Sequence, residues 1–173
     1  MRIDYKDGTG TGDILWRMGL DGDFTFNNIN NDPWPWFSHQ HEVEIALNAA
    51  GPMTLFDNGN TRITDLGSSC GPNDCDSRGM ALTFDETTMQ VTPVLSVVLG
   101  VYSHALGSVQ ILDNNNYFLD TGYVPVTATT DESQLIEILP TTGTTTGTQV
   151  LSIQGPGSYR AWRMTNMYTP PGP

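Results

Sequence analysis

Basic side chains are scarce in this sequence: seven Lys and Arg stand against nineteen Asp and Glu, a formal net charge of -12. A phosphate backbone would be repelled over most of such a surface, which excludes nucleic acid as a partner. Long apolar runs are missing too. The longest apolar neighbourhood, residues 94–101, is interrupted by Ser96 and Gly100 and is only strand-sized, so no membrane span is expected. Residues 1–7 hold no apolar signal core. Cysteine occurs twice, at Cys70 and Cys75, in a polar loop where a short disulfide can close a small ring or two thiols can stay free. Zinc would find only two of its four ligands there, with no histidine nearby in sequence.

What is abundant is punctuation. Eighteen Gly and eleven Pro, with many Thr, Asn and Asp, break the 173-residue chain every ten residues or so. That spacing suits short strands joined by tight turns, and a hydrophobic share of 38% is enough to fill a core. The fold class expected is all-β.

Residues 12–18 read as a strand, followed by a long loop over 20–37 that contains Pro33-Trp34-Pro35-Trp36-Phe37. In residues 38–47 a period of two puts His39, His41, Val43 and Ile45 on one face and Gln40, Glu42 and Glu44 on the other. Residues 52–57 pair back through the tight-turn sequence Asp57-Asn58-Gly59-Asn60. Strands over 78–84 and 89–99 follow, the latter placed at a sheet edge by Pro93. Four consecutive strands are the content of one propeller blade. The pattern then restarts with strands over 107–112, 117–122, 133–139 and 148–153, and a closing strand over 159–164 puts Arg160 and Arg163 on opposite faces. Residues 1–37 are thus expected to end one blade and carry a loop, 38–100 to form a blade, and 101–173 to form the last blade and closing strand. Residues 57–60 and 113–116 cluster oxygen ligands, but turn chemistry accounts for them and no metal site is assigned.

The strings Ile14-Leu15-Trp16-Arg17-Met18-Gly19, Asp23-Phe24-Thr25-Phe26, Ser38-His39-Gln40-His41-Glu42 and Leu55-Phe56-Asp57-Asn58-Gly59-Asn60 occur in that order. Ser77-Arg78-Gly79, Gly107-Ser108-Val109-Gln110 and Tyr159-Arg160-Ala161-Trp162-Arg163 continue the series. This succession resembles the C-terminal half of the arylsulfotransferase family and covers nearly the whole chain. The resemblance implies a six-bladed propeller, of which this chain supplies about two blades with flanking strands. It implies transfer of a sulfuryl group from a phenolic sulfate ester to a phenol, without a nucleotide sulfate donor or other cofactor. His41, in the family's Gln-His motif with Gln40, would become transiently sulfated. Neutral imidazole suits that role, being a good nucleophile near neutral pH and an acceptable leaving group. His39, Trp36, Phe37 and Arg78 are the candidate substrate-binding groups. Trp34, Trp36 and Phe37 are suited either to stacking on a phenolic ring or to core packing. His104 and Arg62 have no motif-assigned role.

The resemblance also places the family's upstream histidine pair, an Asn and an Arg in blades before residue 1. An incomplete ring with an incomplete, inactive site is therefore expected unless further sequence or self-association of chains supplies the remainder. A periplasmic or secreted location is implied for the whole protein. The alternative function is a non-catalytic propeller that binds without reacting.

Overall fold

The computed structural model describes residues 1–45, 51–62, 76–164 and 166. Regular structure among them is β, apart from a short 3-10 turn at Lys6–Gly8. The strands in chain order are β1 (Arg2–Ile3), β2 (Ile14–Trp16), β3 (Thr25–Phe26), β4 (Gln40–Glu44), β5 (Met53–Asp57) and β6 (Arg78–Asp85), then β7 (Gln90–Val98), β8 (Ser108–Ile111), β9 (Tyr117–Asp120), β10 (Val124–Thr127), β11 (Thr130–Pro140) and β12 (Gly147–Pro156). The all-β expectation holds. β4 to β7 form an antiparallel meander in sequence order, with β3 added in parallel beside β7. β8, β9, β11 and β12 form a second antiparallel meander. β10 pairs with the first residues of β11, leaving the later ones to β9.

All of β5 is buried, which explains why its sequence does not alternate between apolar and polar. Met53 and Leu55 enter one hydrophobic cluster with Trp16, Phe24, Met80, Leu82 and Val91. Phe56 enters another with Ala81, Leu95, Val109, Leu119 and Ile136, which joins the two meanders. Successive side chains point to opposite faces, so a strand covered on both sides needs apolar groups at both parities. Thr54 adds a polar tie, its hydroxyl donating to the Val109 carbonyl at 3.1 Å.

β7 changes face part-way. Val91 and Leu95 share a parity yet belong to opposite clusters. Leu82 pairs with Pro93 and Ala81 with Leu95, so Val94 is the extra residue of a bulge that swaps the faces. Pro93 has no N–H to give a ladder and sits at this irregularity, beyond the Gln90–Val91 stretch that β3 covers.

Other expectations are corrected. The period of two over residues 38–47 is broken, because His39 and Glu42 have φ of 54° and 47° and the β4–β5 register shifts between His41 and Glu44. The Glu42 side chain, expected opposite His41 on the polar face, is only 10% exposed, while Val43 and Ile45 face solvent. The 20–37 loop contains β3. Residues 159–164 form no ladder; they run beside β8, tied by Ser108 to Ala161 and by Gln110 to Arg163 through side chains. Arg160 and Arg163 reach separate partners, Glu42 and Glu137. Cys70 and Cys75 lie outside the described residues.

Candidate functional site

The site assembles where the β4–β5 hairpin meets the loop before β8. Asp57 ends β5 fully buried and accepts from the Nε of Arg62 at 2.8 Å and the Nε of Arg78 at 2.9 Å. Its other oxygen accepts from the Ser38 backbone N–H at 2.9 Å, fixing the chain just ahead of β4. Gly59 follows in a left-handed conformation (φ 81°), and a Cβ there would lie 2.4 Å from the Arg62 guanidinium. Both the turn and the close approach therefore require glycine. Burial pulls the pKa of Arg62 below its ordinary value, opposed by the Asp57 charge.

Between Asp57 and Gly59, Asn58 is fully buried. Its Nδ2 donates to the carbonyls of Ser103 at 2.9 Å and Leu106 at 3.1 Å, and its Oδ1 lies 2.6 Å from His41 Nδ1. The backbone N–H of Leu106 donates to His41 Nε2 at 3.3 Å. Ser77 closes the network by accepting from the Ser103 N–H at 2.8 Å and donating to the Asn58 carbonyl at 3.0 Å. His41 is thus half-buried with both ring nitrogens engaged.

His39 does not join it. The ring is exposed, with Nδ1 at 3.0 Å from the Ser38 hydroxyl and 3.3 Å from that of Thr61. His104 is also exposed, tilted against Tyr123 and 3.9 Å from Asp131. Trp36 and Phe37 meet edge to face at 5.9 Å and pack against the Trp16 cluster. Arg78 is buried, held by Asp57 at 2.8 Å and Asp32 at 2.6 Å. Its guanidinium borders a cavity of about 580 Å³ that Asn30, Trp34, Arg62 and Thr145 also line. No histidine belongs to that lining. The candidate residues therefore divide between the His41 network, an exposed hydroxyl-bound His39, a core aromatic group and a charge-balanced arginine.

Sequence reasoning missed Asn58, read only as a turn residue, and Leu106, whose contribution is a backbone N–H. It also missed Glu42 as a buried acid. Glu42 lies 3.5 Å from Arg160, and its Oε2 is buried without a partner. Burial raises its pKa above the ordinary carboxylate range, opposed by Arg160. Asp120 is raised by the same cause, opposed by hydrogen bonds from Ser158 and the Gly122 N–H.

Among the described residues no group of three or more His, Cys, Asp or Glu is arranged to hold a metal ion, and no helix is long and apolar enough to cross a membrane. No curated protein matches the chain. Residues 2–160 match the arylsulfotransferase (ASST) family, which takes in both meanders and the His41 network. With that match extending over nearly its whole length, the chain belongs to the arylsulfotransferase family.

Proposed function

We propose that this protein transfers a sulfuryl group from a phenolic sulfate ester to a phenolic acceptor through a transient sulfohistidine at His41. Family membership supports the reaction class. The observation that supports the residue is the 2.6 Å contact from His41 Nδ1 to a fully buried amide, which holds the ring on the β4–β5 hairpin. In the first step an imidazole nitrogen attacks sulfur, the sulfur–oxygen bond to the aryl group breaks and a phenolate leaves with the electron pair. In the second, an acceptor phenol oxygen attacks the same sulfur, giving up its proton, and the nitrogen–sulfur bond breaks. The leaving phenolate needs a proton from an acid that the His41 network does not itself contain. Completion of the site by further blades or by a second copy of the chain is part of the proposal, as are the propeller arrangement of the two meanders and a periplasmic or secreted location.

Mass spectrometry after incubation with an aryl sulfate tests this. A sulfuryl adduct on His41, absent from His41→Gln, is the expected result. No adduct on the folded, ring-complete protein would defeat the proposal. A second reading, a binding module without chemistry, draws support from the Leu106 N–H that occupies His41 Nε2, and it would then stand.

A further inference from the structure

We propose that Asn58 is the positioning residue that selects the reacting nitrogen of His41, holding the ring proton on Nδ1 so that Nε2 takes the sulfuryl group. This rests on His41 being the nucleophile, and adds which atom reacts and what determines the choice.

The orientation of one buried amide decides it. The two carbonyl oxygens of Ser103 and Leu106, at 2.9 and 3.1 Å, can only accept, so the group facing them must be the Asn58 NH2. Turning the amide over would set its oxygen against both carbonyls and lose two buried hydrogen bonds. Oδ1 is therefore the atom 2.6 Å from His41 Nδ1, and because it too can only accept, Nδ1 carries the hydrogen. A neutral imidazole protonated at Nδ1 has its in-plane lone pair on Nε2. Independently, the group that meets Nε2 is a donor, the Leu106 N–H. Both ends of the ring specify the same tautomer.

The two contacts also differ in how readily they yield. Nδ1 could react only by leaving a 2.6 Å contact to an amide that is fully buried and tied to two further partners. Nε2 need give up only a 3.3 Å bond from one backbone N–H in the loop before β8. When Nε2 bonds to sulfur and the phenolate departs, the ring becomes cationic while Nδ1–H stays in place. Its hydrogen bond to Asn58 then becomes charge-assisted and strengthens as the intermediate forms. On the return step the nitrogen–sulfur electron pair goes back to Nε2, and the Nδ1 proton never moves.

Nuclear magnetic resonance of the full chain carrying ¹⁵N-histidine tests the assignment, together with Asn58→Leu and Asn58→Asp. The native protein should show a pyrrole-type Nδ1 and a pyridine-type Nε2 at His41, and any adduct should sit on Nε2. Asn58→Leu should shift the tautomer balance toward Nε2–H and slow sulfuryl transfer on the order of 10- to 100-fold, as loss of a histidine-orienting partner does elsewhere. Asn58→Asp sets an oxygen against the Ser103 and Leu106 carbonyls and should lower the Tm, but it keeps an acceptor at Nδ1 and should retain the native tautomer. A native protein with the proton on Nε2, an adduct on Nδ1, or a folded Asn58→Leu with the native tautomer would each overturn the inference. The native spectrum decides the tautomer even if a variant fails to fold. A native Nδ1–H tautomer with no adduct on the ring-complete protein refutes the nucleophile alone and supports Asn58 as the group that sets the ring's proton.

Discussion

Burial shifts the titration of Glu42, Arg62, Tyr117 and Asp120, and Glu42 shows how. Its carboxyl is pushed above the ordinary range by desolvation, partly offset by Arg160, while Glu44 and Asp120 add repulsion. An acid that holds its proton more tightly folded than unfolded favours folding below its unfolded pKa, about 4.3. That advantage is lost as pH rises through the raised folded value. Glu42→Gln stays neutral throughout, so its Tm should fall less than that of the native protein between about pH 4 and about pH 7. Parallel melting curves across that range would show that Glu42 ionises without cost. The difference is needed because Asp4 and Glu137, whose pKa values are lowered, act in the opposite direction and lose their contribution as pH falls. The candidacy of His41 was legible from its neighbours in sequence. The burial of Glu42 was not, because a left-handed residue inside a strand redirects every side chain around it and alternation cannot foresee that.

At the scale of elements, one close contact between the two meanders is that of Gly79 on β6 with Leu119 on β9. A Cβ built on Gly79 would lie 1.9 Å from Cδ2 of the fully buried Leu119. Gly79→Ala should therefore overpack the contact by about 1–3 kcal/mol, and Leu119→Ala should open a cavity at about 2–5 kcal/mol. Combined, the new methyl fills part of the space that leucine leaves, so the double variant should be less destabilised than the sum by roughly 1 kcal/mol. Urea denaturation of the three variants checks this, and simple additivity would mean that the strands do not touch there. The longer strands were legible because turn residues bracket them. β3 has only two residues and is defined by its partner, β7, rather than by any pattern of its own. Residues 159–164 look like a strand yet lie beside β8 without pairing, because the Ser108 and Gln110 side chains take the hydrogen bonds that a ladder would have used.

For the molecule as a whole, the feature with most consequence is β12. It pairs with β11 along one side and has no strand on the other among the described residues. No charged residue occurs in Gly147–Pro156, and Val150, Leu151 and Ile153 are exposed. A long uncharged edge of this kind invites another strand. The native chain should accordingly self-associate with rising concentration, and Ile153→Lys should reduce the effect. Size-exclusion chromatography with light scattering reads both, and a native protein that stays monomeric would remove β12 as an assembly edge and weaken ring completion by copies of this chain.

Composition and turn spacing by themselves determined the all-β class, and the ordered strings from Ile14 to Arg163 marked the family, because strand period, turn residues and motif order are local properties. Contact across the chain is not local. Only the tertiary structure decided that Asn58 reaches His41 from 17 positions away, that the loop before β8 meets the same ring with a backbone N–H, and that Arg78 is occupied by Asp57 and Asp32. These pairings follow from which buried donors and acceptors can satisfy one another once the sheets have packed.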